Sequence, residues 1–358
     1  MLQKVFATGL IFFCLNNLSA QQTPATDSTS APKAITTVSG FADCYYRFDP
    51  ASNLVNNKTS FTNSDNSFEL GMISAKAEQQ FGHAAMVADL GFGRRAEDFS
   101  YTDASTRFII KQLYLSYMFK HNIKVTAGSW ATHIGYEVVD PYLNRNYSMS
   151  YMFSYGPFFH TGVKAEKSFG RSGIMLGLAN PTDLKSASFS HKYLIGQFST
   201  KSADEKLALY INFQAGKPGD SVRVSQADLT ASYTLNPKFS LGFNATISNY
   251  QVKSGEGYSD PDSWMGAAAY FNISPLSWLG ITLRSEYFND PRQLNVFAGA
   301  AEGGSILANT LSFNLSNDHI TLIPEIRFEK ASSNVFMNKE DTPSGKALSF
   351  LCAAVYKF

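Results

Sequence analysis

The chain has 358 residues, 44% hydrophobic, 14% aromatic and only 16% charged, with a formal net charge of +1. Charged residues usually supply about 25% of a soluble globular domain, so this chain is poor in charge while rich in aromatics. Its mean hydropathy of −0.14 and the lack of any run of about 18 apolar residues beyond the N-terminus exclude a bundle of transmembrane helices. The apolar content excludes a disordered chain, and the balanced charge leaves no electrostatic footprint for nucleic acid.

At the N-terminus, Lys4 precedes the apolar stretch from Val5 to Leu15, and Leu18-Ser19-Ala20 follows as a small-residue cleavage site. That order predicts a secretory signal peptide over 1–20, cut before Gln21. Ile11-Phe12-Phe13 ahead of Cys14 lacks the small residues of a lipoprotein signal. Losing Lys4 takes the 30 basic residues to 29, equal to the 29 acidic ones. Residues 21–36, rich in Pro, Ser and Thr, read as a flexible periplasmic leader. A leader this short leaves no room for the N-terminal plug of an active transporter or the hatch of a fatty-acid channel.

From Thr37 onward apolar residues recur at every second position. Leu207, Leu209, Ile211, Phe213 and Ala215 alternate with Lys206, Tyr210, Asn212 and Gln214. Phe239 to Ile247 repeats the rhythm against Ser240, Gly242, Asn244, Thr246 and Ser248. Leu279, Ile281, Leu283 and Tyr287 do so against Gly280, Thr282, Arg284 and Glu286. Period two places one face of a strand in an apolar medium and the other in a polar one. The rhythm predicts sixteen strands near 37–48, 66–81, 83–97, 106–119, 122–133, 157–169, 171–182, 190–201, 205–216, 224–235, 238–250, 262–274, 277–289, 304–317, 318–330 and 345–358. Tight turns such as Gly82, Gly170 and Asn236-Pro237 alternate with longer loops at 49–65, 98–105, 134–156, 183–189, 217–223, 251–261, 290–303 and 331–344. Long strands, an even count and a short–long alternation of connections predict an all-β fold: a closed antiparallel transmembrane barrel with short periplasmic turns and long extracellular loops. In hydrocarbon every backbone polar group needs an internal partner, so only a closed sheet can span.

Closure brings Cys44 and Cys352 onto neighbouring strands, where they read as free, small apolar residues on the lipid face. With two cysteines in the mature chain and no Cys/His spacing, neither a disulfide scaffold nor a metal site is expected, and no cofactor. The chain ends on Phe358, with Tyr356 two residues earlier on the same face. That pattern resembles the insertion signal of bacterial outer-membrane barrels, which implies the outer-membrane lipid and the barrel-assembly machinery as partners. The polar parity assigns Asp43, Arg47, Lys76, Glu78, Asp89, Arg95, Lys164, Glu166, Arg284, Glu286, Glu325, Arg327 and Glu329 to the lumen. Acids and bases are mixed, which predicts weak charge selectivity, or wall salt bridges alone. Lys111 breaks the parity of Ile109, Leu113, Leu115 and Tyr117, implying a bulge or a shift of register there.

The longest loop, 134–156, is dense in hydrogen-bonding groups. Within and after it, Gly135-Tyr136-Glu137, Pro141, Asn144, Asn146-Tyr147-Ser148, Pro157 and His160-Thr161-Gly162 resemble the putative beta-barrel porin-2 (OmpL-like) family. The resemblance spans roughly Val38 to Phe358, with its sharp motifs around 130–162. It implies an outer-membrane barrel and passive passage of small hydrophilic solutes, and carries no substrate, cofactor or catalytic residue. By analogy with sixteen-stranded porins, whose third long loop folds inward, Glu137, Asp140, Asn144, Arg145 and Tyr147 are expected to form a constriction, with the acids and Arg145 facing lumenal charges. The same analogy suggests a homotrimer. The loop could instead project outward. A structural or adhesin barrel without significant conductance is the alternative function. His133, His160 and Ser148 surround the loop, but nothing in their spacing requires a hydrolase, and no catalytic residue is assigned. Gly91-Phe92-Gly93 lies in a strand pattern, not a nucleotide-binding turn.

Overall fold

The computed structural model describes residues 34–103, 107 and 109–358; the expected signal peptide and the leader up to residue 33 lie outside the described residues. Sixteen strands form the wall. In chain order they are β1 (Ile35–Phe48), β2 (Ser67–Phe81), β3 (Ala84–Phe92), β4 (Ile110–Phe119), β5 (Ile123–Ala131), β6 (Phe159–Phe169), β7 (Ser172–Ala179) and β8 (Tyr193–Lys201). There follow β9 (Leu207–Gly219), β10 (Val222–Asn236), β11 (Phe239–Ser254), β12 (Asp262–Leu276), β13 (Leu279–Asp290), β14 (Gly304–Asn317), β15 (Ile320–Ala331) and β16 (Lys346–Lys357).

Each strand pairs antiparallel with its neighbours in sequence, and β1 closes the ring on β16, from Phe41 opposite Lys357 to Phe48 opposite Phe350. Beyond the ladder, Gly40 and Phe358 exchange both backbone hydrogen bonds, at 3.1 and 3.0 Å. Closure leaves the wall no open edge. The first strand starts at Ile35, so the last two residues of the expected leader belong to the wall.

The faces are inverted relative to a soluble sheet. Along β13, Thr282, Arg284 and Glu286 are fully buried, while Leu283 and Tyr287 are 38% and 47% exposed. Leu113, Leu115, Leu176, Leu178, Leu307 and Phe328 continue the exposed apolar surface around the ring. In water so extensive an apolar surface would drive aggregation; against lipid it is the favourable arrangement. Cys44 and Cys352 are free and exposed on this outer face, on the adjacent strands β1 and β16.

Two departures from the alternating pattern are local. Lys111 falls where the β3–β4 register shifts, between Asp89 opposite Gln112 and Leu90 opposite Ile110, so the parity break is a β-bulge that turns the ammonium inward. The expected strand 83–97 ends at Phe92, and Arg95 lies instead in a short helix, α1 (Arg94–Phe99). Gly93, at φ +112°, takes a conformation that L side chains rarely adopt and turns the chain out of the wall. The expected loop at 217–223 is a tight hairpin at Asp220-Ser221, because β9 and β10 run on past the predicted ends.

Apolar packing is concentrated where loops meet the interior rather than between layers. Phe61, Phe99, Phe153, Phe158 and Phe159 form one cluster with Phe41 of β1. Tyr151, Met152, Trp264, Phe288, Phe297 and Phe336 form another. Segments from four different long loops therefore cap the long-loop end of the barrel and pack on residues 149–158.

Candidate functional site

The segment between β5 and β6 is shaped first by its own hydrogen bonds. Thr132 Oγ1 accepts from the Ile134 amide at 3.1 Å. Asn144 clasps Val138 twice, accepting from its amide at 3.1 Å and donating to its carbonyl at 2.5 Å. Ser150 caps a single turn, α2 (Tyr151–Ser154), by accepting from Phe153 N–H at 3.1 Å.

The wall then fixes where it lies. Asp140 meets Lys111 of β4 at 2.6 Å, and Arg145 donates to Ser274 of β12 at 3.3 Å. In a ring of sixteen, β4 and β12 are eight strands apart, on opposite sides. A segment bonded to both crosses the lumen. Further anchors come from Asp228 of β10, which accepts from Gly135 N–H at 3.0 Å, and from Asp43 of β1, which accepts from the Tyr147 hydroxyl.

On one side the wall grips the backbone of the segment. Glu325 accepts from the amides of Tyr147 and Ser148 at 3.0 and 3.3 Å. Glu286 accepts from those of Tyr151 and Met152 at 2.9 and 3.0 Å. Arg284 donates to the carbonyls of Ser148 and Met149 at 2.7 and 3.2 Å, and Arg327 to Met149 at 2.9 Å. Arg284 also pairs with Glu137 at 2.5 Å, both side chains being buried. Hydrogen bonds with an ionised partner contribute about 1.5–3 kcal/mol each, and buried peptide groups here would otherwise lack partners.

The remaining charged residues of the inner face are mostly matched. Lys111 also meets Asp89 at 3.2 Å, Lys76 meets Glu78 at 2.8 Å, and Arg327 meets Glu329 at 2.9 Å. Glu166 stands between Lys124 at 2.9 Å and Lys164 at 3.5 Å. Arg95 reaches inward from α1, 4.0 Å from Asp43 and over the Tyr147 ring, and Arg47 donates to the Ser64 carbonyl at 2.8 Å. Arg145 departs from the expectation that it faces a lumenal charge: its guanidinium reaches Ser274 at the short-turn end of β12, while Asn314 of β14 donates to its backbone carbonyl at 2.8 Å.

Charge-based reading missed several inner-face groups, Lys111, Lys124 and Asp228 among them. Lys111 was visible only as a parity break. Asp228, which accepts from Asn212 at 2.7 Å and Asn244 at 2.6 Å, sits on the polar parity of Gln226, Thr230 and Ser232, so alternation alone could have found it. The Ser/His grouping is not assembled. His160 meets Thr132 at 3.1 Å, His133 meets the Phe213 carbonyl at 3.3 Å, and Ser148 turns to Arg284.

The ring is closed by its first and last strands, apolar outside and crossed by the third long loop. The model of the family described as Putative beta-barrel porin-2, OmpL-like, matches residues 36–358. The chain belongs to this family. It is an outer-membrane β-barrel of the porin class. No curated protein matches it. Among solved structures, this porin is similar to the anion-selective porin from Comamonas acidovorans, with TM-score 0.61 and 10% identity over 91% of this chain and 100% of that one. The outer membrane channel DcaP of Acinetobacter baumannii gives 0.57 and 11%, over 94% and 100%. Salmonella typhi OmpF gives 0.59 and 11%, over 90% and 97%. At such identities the likeness is one of fold.

Proposed function

We propose that this porin passes small hydrophilic solutes or ions by passive diffusion, with residues 134–156 as its constriction. The observation that carries the reading is the segment's double anchorage, to Lys111 on β4 and to Ser274 on β12, across a ring of sixteen strands. Rings of this size enclose an aqueous channel unless something fills them. The inserted segment narrows that space from within. Because most inner-face charges are paired, the field along the passage is weak, and so is the expected ion preference.

On this reading residues 1–20 direct export, 21–34 form the leader, and Tyr356 and Phe358 present the insertion signal to the assembly machinery. Vibrio cholerae OmpT, another similar structure, is described in a trimer form, and a homotrimer is proposed here on that analogy. No catalytic chemistry is proposed, since Ser148 and the histidines are engaged elsewhere.

A structural barrel is the second reading, favoured by one observation: Phe61, Phe99, Phe297 and Phe336, from four long loops, are fully buried over the inserted segment. Reconstitution of the full chain in planar bilayers decides between them. Discrete, ohmic conductance steps support the porin; silence despite verified insertion supports the structural barrel.

A further inference from the structure

Below the inserted segment, towards the short turns, lies a cavity that is open to solvent. Tyr136, Arg145, Ser232, Thr234, Ser240 and Asn272 line it. Its two charged residues differ in kind. Glu137 is neutralised by Arg284 at 2.5 Å and accepts from Ser150 N–H and the Tyr270 hydroxyl at 2.7 and 3.2 Å. Arg145 has no carboxylate within 4.0 Å among the described residues; both terminal nitrogens point to one oxygen, Ser274 Oγ, each at 3.3 Å. Lys111, Lys124, Lys164, Arg284 and Arg327, by contrast, each face a carboxylate.

A guanidinium carries five N–H donors in a planar fork that matches the two oxygens of a carboxylate. Two long bonds to a single hydroxyl leave most of that fork unused. Around it the lining supplies hydroxyls and an amide, groups that can donate or accept. Tyr136 and Tyr270 stack at 4.3 Å and give the cavity one apolar wall, and Gly242, having no side chain, leaves the space that the Tyr136 hydroxyl occupies.

We infer that this cavity is a binding subsite for small hydroxylated carboxylates, the carboxylate seated on Arg145 and the hydroxyls on Ser232, Thr234 and Ser240. The inference deepens the porin reading and rests on it for the ligand's route, but binding can be measured without conduction. The probe is gluconate, titrated calorimetrically into the full chain in detergent, with glucose and inorganic phosphate as comparison ligands. Wild type is expected to bind gluconate saturably and at least tenfold more tightly than glucose. Arg145→Gln should lose tenfold or more, Arg145→Lys should recover part of the loss, and Lys253→Gln on the exposed β11 hairpin should change nothing.

Absence of saturable gluconate binding, or equal affinity in Arg145→Gln, overturns the inference. So does Arg145-dependent binding of phosphate without gluconate, which would assign the site to free phosphate. Bilayer recordings on the same preparation separate the two claims. Conductance without Arg145-dependent binding removes the subsite and keeps the porin; Arg145-dependent binding in a silent barrel does the reverse.

Discussion

Glu137 Oε1 lies 2.5 Å from Arg284 Nη1, tying the inserted segment to the wall across 147 positions of sequence. Both side chains are buried, so each is the other's neutralising partner in a low-dielectric setting. Glu137→Gln leaves Arg284 without its counter-charge and should destabilise the barrel by about 3–5 kcal/mol, since removing one member of a buried pair strands the other. Thermal unfolding in detergent should show a lower midpoint, and single-channel traces more open-state noise. An unchanged midpoint would mean that the pair contributes nothing to holding the segment.

The grip of Glu325 and Glu286 on consecutive amides makes a second, more local prediction. In Glu325→Gln the amides of Tyr147 and Ser148 should lose about 1.5–3 kcal/mol of protection, roughly ten- to hundredfold in hydrogen exchange. The amides of Tyr151 and Met152, held by Glu286, should keep theirs. Glu286→Gln should give the opposite pattern. Equal acceleration at both pairs would show that the segment opens as one unit.

The inverted faces predict an asymmetry between positions on the two sides of the wall. Leu283→Arg, on the lipid side near the middle of β13, should cost about 2–4 kcal/mol in a bilayer. Thr234→Arg, on the inner face of β10 beside the cavity, should cost well under 1 kcal/mol, because water can reach it. Unfolding titrations in liposomes measure both. Equal costs would contradict the assignment of faces.

All sixteen strands were legible in the sequence because alternation and turn residues are local signals, read a few positions at a time. Even the defect at Lys111 announced itself as a break in parity. The α1 helix was not legible: Gly91-Phe92-Gly93 reads as strand, and only the left-handed turn at Gly93 and the burial of Arg95 against Asp43 and Tyr147 make a helix there favourable. Length and composition single out 134–156 as a candidate constriction, yet its partners lie beyond the reach of local patterns. Glu137 with Arg284, Asp140 with Lys111 and Tyr147 with Asp43 are pairings across the ring, set by closure rather than by spacing. For the same reason Arg145 is expected to face a charge and instead reaches a single hydroxyl, that of Ser274.

The loop after β7 carries a pH dependence. Asp183 accepts from the amides of Phe158 and Phe159 at 2.7 and 2.9 Å, and burial pushes its pKa up from 3.8 to about 7. A raised carboxyl pKa means that the folded loop holds its proton more tightly than the unfolded chain. The stabilisation is therefore fully present below about pH 3.8 and is lost as pH rises through 7. Exchange protection of Phe158 and Phe159, corrected for intrinsic rates, should fall between pH 5 and pH 9 in the wild type and stay flat in Asp183→Asn. A rise with pH would reverse the sign of the account.

The most direct measurement compares the single-channel conductance of the full chain with that of a variant lacking residues 138–150. Arg284, Arg327, Glu286 and Glu325 would then face an open, hydrated lumen, so the wall can tolerate the loss. Conductance several-fold above that of the full chain is the predicted result. The same conductance in both would contradict the claim that the segment crossing from β4 to β12 sets the width of the passage.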